Sequence, residues 1–127
     1  MNFLTKEFVL KVQRANIEEF GGSHGLLDEG KFESALLAAE NRYHYERCDV
    51  FTCAATYGYH LCQAHAFVDG NKRVAAACAL LCLEFNGVEH SFQPKVLGDV
   101  FLRVAEGKMS RDELEAFLRA NVRPATS

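Results

Sequence analysis

The 127-residue chain contains no tryptophan, only two prolines and no apolar run of membrane-spanning length. Because a transmembrane helix needs about 20 mostly apolar residues, a membrane is not expected among the partners of the protein. The opening stretch, MNFLTKEFVLK, also lacks the pattern of a secretion signal. Alternation of apolar and polar residues is missing beyond a few positions, which argues against a β-sheet fold.

Cysteine is present as an odd set of five, and no two of them form a C-x-x-C pair. In a chain without a secretion signal this usage predicts reduced thiols and a cytoplasmic location. Cys78 and Cys82 lie four residues apart, so they would share one helix face and behave as small apolar residues. The sequence leaves open a zinc site, with spacing that is poor for a metal finger, drawn from Cys48, Cys53, His60 and Cys62.

The net charge of −3 gives no general nucleic-acid signature, and direct nucleic-acid binding is not expected. Any positive potential must therefore be local, as at Lys72 and Arg73. The length and an apolar fraction of 49% suit one globular domain with its own core. Residues 1–127 are accordingly predicted to form a single domain.

Helical signals dominate the chain, and we predict a compact all-α bundle of about six helices. Thr5 and Asp28 are suitable N-caps for the first two helices, and Ser110 opens a capping box for the last. The two central segments are apolar nearly all round, as expected for helices in the middle of a bundle. The predicted helices span about residues 6–20, 29–40, 50–64, 71–85, 95–106 and 111–120.

Three further expectations concern details of this bundle. The buried face of the first helix is predicted to comprise Phe8, Val12, Ala15 and Ile17. The polar and aromatic stretch 41–49 is predicted to be a connection, and it is the best candidate for a flap that faces a target. Pro124 and the polar residues around it predict a frayed tail.

The most informative stretch is His65–Arg73, HAFVDGNKR, which is followed at once by the apolar segment VAAACALLCLEF. The run therefore lies where a loop enters a helix N-terminus, and such an end binds phosphate through unpaired N–H groups and the helix dipole. His65 suits a general base, with a histidine that merely ends a helix as the alternative. Asp69 suits Mg²⁺, which takes few protein oxygens together with phosphates, and its alternative is an N-cap. These features predict transfer of a phosphate-containing group from a nucleotide.

The other residues of the run predict a phosphate cradle. Gly70 permits a positive φ and a close approach of the backbone to phosphate. Asn71 can cap the helix and offer its amide to a phosphate, although an ordinary turn and cap would use the same residues. Lys72 and Arg73 place two cations in the first helical turn, which opposes the helix dipole unless phosphates bind there. The alternative for Lys72 and Arg73 is a basic pair that is solvated or paired with carboxylates. Phe67 is expected to point into the core.

This run resembles the Fic/Doc superfamily motif, H-x-F-x-[D/E]-G-N-G-R-x-x-R, at its first seven positions and at Arg73. Lys72 replaces the second glycine and Ala76 replaces the last arginine, and both changes resemble the death-on-curing (Doc) branch with its D-[G/A]-N-K-R version. The stretch Gly21–Leu36, GGSHGLLDEGKFESAL, is similar to a segment near the start of many Doc-like chains. The two stretches are about as far apart as in that branch, so the resemblance covers most of the chain.

The resemblance implies a Fic-like fold and a toxin of a toxin–antitoxin pair. Doc-branch proteins act as Mg-ATP-dependent protein kinases that transfer the γ-phosphate to a threonine of elongation factor Tu and stop translation. By position, His65 would activate the target hydroxyl and Asp69 would bind magnesium. The residues that would hold phosphates are Gly70, Asn71, Lys72 and Arg73.

The resemblance also implies a partner and two rival activities. The chain contains no [S/T]-x-x-x-E-[G/N] self-inhibitory string, so a Phd-like antitoxin, whose tail folds against a groove, is the implied inhibitor. Transfer of AMP to a protein is the main Fic chemistry and remains an alternative, although Ala76 cannot bind phosphate as the usual arginine does. A binding module that has kept the fold without catalysis is the other alternative.

Overall fold

The computed structural model describes residues 1–121, and the tail predicted around Pro124 lies outside the described residues. An all-α architecture is confirmed, because the described part of the chain contains helices and one isolated β-bridge but no strand. None of these helices combines the length and hydropathy needed to cross a bilayer. The helices are α1 (Lys6–Phe20), α2 (Glu29–Glu46), α3 (Val50–Ala64), α4 (Asn71–Phe85), α5 (Pro94–Ala105) and α6 (Arg111–Ala120).

Side-chain caps explain where four of the six helices begin. The predicted caps Thr5 and Asp28 accept hydrogen bonds from the third backbone N–H groups of α1 and α2, at 3.1 Å and 3.0 Å. Asp49 caps α3 in the same way. Ser110 and Glu113 form the predicted capping box of α6, each side chain bonding the other's backbone N–H.

The central position belongs to α3, which packs against α2, α4, α5 and α6. Its residues Cys53–Gly58 are all fully or almost fully buried, as the apolar pattern predicts. Gly58 allows α5 to approach, because a Cβ there would lie 3.0 Å from Cζ of Phe101. The helix α4 packs beside α3 and also against α1 and α5, so the loop between α3 and α4 emerges from the middle of the bundle.

The predicted end of α2 at Glu40 is wrong, because the helix continues to Glu46. The prediction that residues 41–49 form a connection is therefore wrong for residues 41–46 and holds for residues 47–49, while a role of this stretch in facing a target stays a prediction. One contact between helices and one within α2 support the extra turns: the half-buried Arg42 donates from Nη1 to Oγ1 of Thr56 on α3 at 3.2 Å and from Nε to Glu46 at 2.8 Å. Arg47 then ends α2 in the left-handed conformation, with φ of 50°.

The buried face of α1 also differs from the prediction. Its buried positions are Val9, Gln13 and Ile17, spaced four residues apart. The prediction is therefore confirmed for Ile17 and wrong for Ala15, which is exposed, while Phe8 and Val12 are half-buried. A prediction that assigns only apolar residues to the buried face omits Gln13, because its side chain is polar. The structure buries Gln13 against the loop between α3 and α4.

The cysteines are all free thiols, and Cys78 and Cys82 are buried in the core as predicted. The set considered for zinc is not assembled, since no three His, Cys, Asp or Glu side chains within residues 1–121 converge on a point that could hold a metal ion. Cys62, one member of that set, instead donates to the carbonyl oxygen of Phe101 at 3.6 Å.

Candidate active site

His65 terminates α3 in a conformation that is unusual for a residue with a side chain. Its backbone lies in the left-handed region, with φ of 47° and ψ of 43°. A non-glycine residue there costs about 1–2 kcal/mol, so the surrounding structure must hold it in place. The side chain is exposed and lines the groove described below. The chain thus leaves the buried helix α3 abruptly and presents an accessible imidazole.

The motif loop, residues 65–70, is anchored from beneath by Phe67. As predicted, that side chain is buried, and its ring packs against Phe32 with centroids 5.2 Å apart. The side chain of Asn71 also holds the loop, because its Oδ1 accepts from the Phe67 N–H and its Nδ2 donates to the Phe67 carbonyl, both at 3.0 Å. The Asn71 amide therefore binds backbone and does not cap α4.

A second segment, the clamp loop of residues 21–28 between α1 and α2, lies along the motif loop. The backbone N–H groups of Leu27 and Asp28 both donate to the Ala66 carbonyl, at 2.7 Å and 3.2 Å. In return, the Val68 N–H donates to the Gly25 carbonyl at 3.1 Å. These bonds form the antiparallel bridge between the two loops. They fix the motif loop by backbone contacts from a segment some 40 residues earlier in the sequence.

The clamp loop also orients Asp69. The backbone N–H of Ser23 donates to Oδ2 of Asp69 at 2.7 Å, and the buried Gln13 side chain donates to the Asp69 carbonyl at 3.4 Å. Gly22 lies so close that a Cβ on it would be 3.1 Å from Cβ of Asp69. Within residues 1–121, Oδ1 of Asp69 receives no hydrogen bond, so one carboxylate oxygen is held and the other is free.

The N-terminus of α4 has no side-chain cap, unlike that of the helix before it. Its N-cap is Gly70, which has the positive φ, 80°, that the sequence predicts. The backbone N–H groups of Asn71, Lys72 and Arg73 donate to no acceptor within the described residues. Neither Asp69 nor Asn71 caps α4, although the sequence allowed both as caps. The Asp69 carboxylate accepts from the Ser23 N–H, and the Asn71 side chain bonds the backbone of the motif loop. The three free N–H groups and the helix dipole therefore make this end of α4 suitable for binding an anion.

Two exposed cations flank these N–H groups. Lys72 and Arg73 form no ion pair with a carboxylate in the described part of the chain, so the carboxylate-paired alternative does not apply. The guanidinium carbon of Arg73 lies 4.4 Å from the ring centroid of Phe20 at the end of α1. This stacking orients the arginine while its donors stay available. Two cations at the positive end of a helix are unfavourable unless an anion binds between them.

The predicted site residues all line one groove of about 900 Å³. At one end of it lie the imidazole of His65, the carboxylate of Asp69 and the uncapped start of α4. Farther along α4 the wall is apolar, and Ala76 is part of that wall. The apolar portion of the groove is lined by Ala76, Ala77, Leu80, Phe92, Leu97 and Phe101.

The residues present fit a magnesium-bound nucleotide phosphate. Magnesium is commonly bound by one or two carboxylates together with phosphate oxygens and water, and Asp69 offers one free oxygen. No fully protein-built metal site exists within residues 1–121, so phosphate oxygens would have to complete the coordination. The uncapped N–H groups and the two cations supply the complementary charge for those phosphates.

Sequence reasoning missed the residues that hold the site together. Gln13 could have been suspected, because it falls four residues from both Val9 and Ile17 and thus on the buried face of α1. Ser23 could not, because it acts through its backbone N–H, which nearly every residue type possesses. The stacking of Phe20 on Arg73 could not be predicted either, because it depends on how α1 packs beside α4.

A family model and a curated protein both match this chain. The model of the Fic/DOC family matches residues 3–83, a range that includes the clamp loop, the motif loop and most of α4. A protein of Escherichia phage P1, named "Protein kinase doc", is 34% identical over 120 residues, which is 94% of each chain.

Proposed function

The chain belongs to the Fic/Doc family, and from this premise we propose that it is a Doc-type protein kinase. It transfers the γ-phosphate of Mg-ATP to a protein hydroxyl, and the proposed target is a threonine of elongation factor Tu. The outcome is arrest of translation in the cytoplasm. The proposal draws on the family, on the name of the phage P1 relative and on the site.

One observation carries the proposal: a base, a half-free carboxylate and an uncapped, cationic helix N-terminus all line one groove. Phosphoryl transfer needs mainly positioning and neutralisation of charge, so this small set of groups is sufficient. Ala76 supports phosphate transfer over AMP transfer, because the groove wall there has no cation for the phosphate contact that the common Fic motif makes.

His65 acts as the general base in this proposal. An imidazole is the side chain best suited to accept a hydroxyl proton near neutral pH. The exposed position of His65 at the end of α3 lets a hydroxyl of a folded protein reach it. Its left-handed backbone keeps the ring at the mouth of the groove instead of continuing the helix.

The phosphates are held by α4 and the metal by Asp69. The three free N–H groups of the first turn, together with Lys72 and Arg73, bind phosphate oxygens. Asp69 holds magnesium through the oxygen that Ser23 leaves free. When bound, magnesium neutralises charge on the transferred phosphate.

A Phd-like antitoxin is the proposed inhibitor. The sequence contains no self-inhibitory string of the kind that many Fic proteins carry, which supports control by a separate protein. The apolar wall along α4 continues directly from the phosphate end of the groove. An amphipathic helix laid on that wall would obstruct the site, which is a common mode of recognition for tails that fold on binding.

The test is intact-mass spectrometry of elongation factor Tu after incubation with the chain and Mg-ATP. His65→Ala is the inactive variant, and His44→Ala is the matched control, because His44 is exposed but does not line the groove. A phosphate-sized gain with the parent chain and with His44→Ala, but not with His65→Ala, supports the kinase and its target. An AMP-sized gain in mass would instead show that the chain transfers an adenylyl group and is not a kinase. If no gain occurs and calorimetry detects no nucleotide binding, the chain is a binding module.

A further inference from the structure

Two cysteine sulfurs meet at the junction of α2 and α3, far from the groove. The Sγ atoms of Cys48 and Cys53 are 3.5 Å apart. Cys48 is half-buried in the connection formed by residues 47–49, whereas Cys53 is fully buried in the first turn of α3. Within residues 1–121, no other two cysteine sulfurs form a hydrogen bond. Nothing in the proposed phosphoryl transfer uses either thiol.

The turn that carries these two cysteines is held firmly. Asp49 accepts from the Thr52 N–H at 3.1 Å and pairs with both terminal nitrogens of Arg119, at 2.7 Å and 3.1 Å. A disulfide has a sulfur–sulfur distance of about 2.05 Å, so the two sulfurs need to approach by about 1.5 Å. Formation of the disulfide therefore requires rotation of the two side chains and little movement of the backbone that Asp49 holds.

We propose that Cys48 and Cys53 are a redox-active dithiol that a peroxide converts reversibly into an intrachain disulfide. In the first step the Cys48 thiolate attacks one oxygen of hydrogen peroxide and the O–O bond breaks, so that Cys48 becomes a sulfenic acid and the departing hydroxide takes up the proton lost by the thiol and leaves as water. In the second step the Cys53 sulfur attacks the Cys48 sulfur, the S–O bond breaks, and a second water leaves. Both sulfurs are oxidised and one hydrogen peroxide is reduced to two waters. A thiol reductant reverses the change by exchange.

Access selects Cys48 as the first site of attack. It is the one cysteine with partial exposure, because Cys53, Cys62, Cys78 and Cys82 are all buried. Burial also raises the pKa of the Cys62 thiol to about 11 and the pKa of the Cys78 thiol to about 12, so neither forms the reactive thiolate. Burial raises the pKa of Cys53 as well, but its sulfur is already next to Cys48 when the sulfenic acid forms.

The disulfide would tie the α2–α3 turn without touching the groove. Cys53 and His65 lie at opposite ends of α3, about 18 Å apart by helix geometry. Oxidation should therefore change stability and leave nucleotide binding unaltered. The inference does not depend on the proposed kinase activity, so either can fail without the other.

The experiment treats the purified full chain with hydrogen peroxide and follows intact mass, peptide maps and the melting temperature. We expect loss of two hydrogens, a Cys48–Cys53 link in the map, and a rise in melting temperature of about 3–8 °C that a dithiol reductant reverses. Cys48→Ser and Cys53→Ser should each abolish the link, whereas Cys82→Ser should retain it. If one of these serine variants does not fold, the peptide map of the parent chain decides alone. A link that involves Cys82, or only added oxygen on Cys48, would overturn the proposal.

Discussion

Replacement of Gly22 by alanine should displace Asp69, whereas replacement of the neighbouring Gly21 should not. A Cβ at Gly22 would lie 3.1 Å from Cβ and 3.3 Å from Oδ2 of Asp69, and 3.2 Å from Cδ1 of the buried Ile17, so some additional loss of stability is also expected. A Cβ at Gly21 meets no atom within 4 Å. Both glycines have positive φ, 88° at Gly21 and 112° at Gly22, so alanine strains the backbone at either position. Gly21→Ala is therefore the matched control for Gly22→Ala.

The magnitude follows from what the added methyl group moves. Backbone strain of about 1–3 kcal/mol applies to both variants and lowers their melting temperatures. Gly22→Ala additionally displaces Asp69 and weakens the charge-assisted bond from the Ser23 N–H, which is worth about 1.5–3 kcal/mol. Misplacement of a reacting group by about 1 Å can reduce a rate about 100-fold. We expect a loss of about that size in kcat/KM for Gly22→Ala, together with a higher Mg²⁺ requirement.

The assay is phosphate transfer to elongation factor Tu at several Mg²⁺ concentrations, below the melting temperature of both variants. Calorimetric titration with Mg-ATP provides a second readout that does not depend on the target protein. Gly21→Ala should keep the Mg²⁺ requirement of the parent chain. If both folded variants show the same activity and the same Mg²⁺ requirement, the clamp loop does not position Asp69 and the reasoning is refuted.

Three further predictions concern stability and titration. Asn71→Ala should lower the free energy of unfolding in urea by about 1–3 kcal/mol, because it leaves motif-loop backbone groups unpaired. Asn71→Asp should also lose stability, because a carboxylate can accept from the Phe67 N–H but cannot donate to the Phe67 carbonyl. The Arg119 guanidinium holds the pKa of Asp49 below its usual range, so this stabilisation is present above about pH 4 and is lost as pH falls through the folded pKa. Denaturation at pH 7 should show that Asp49→Asn costs up to about 1 kcal/mol and Asp49→Ala about 1 kcal/mol more, because alanine also removes the cap. Burial and the charge of Arg111 lower the pKa of His60, so stability should decline as pH falls below about 6.5, and Arg111→Met should raise the NMR titration midpoint of His60.

Local patterns predicted most of the fold correctly. The caps at Thr5, Asp28 and Ser110 and the termini of the central helices were all visible, because each depends on residues within one or two turns. The same holds for the motif residues, whose joint location follows from a loop that enters a helix. The end of α2 was not visible, because the contact from Arg42 to Thr56 on the next helix decides it.

The helical class, the order of the helices and the chemical groups of the site could be read from the amino-acid sequence, because periodicity, caps and the motif are local properties. The way in which those groups are held depends on contacts between segments far apart in the chain. Ser23 bonds Asp69 through a backbone N–H, and Gln13 bonds it across 56 residues of sequence. The meeting of Cys48 and Cys53 likewise depends on how α2 turns into α3. Nearly every residue type has a backbone N–H, and contacts between distant segments leave no periodic pattern in the sequence. Such contacts therefore cannot be predicted from local sequence patterns.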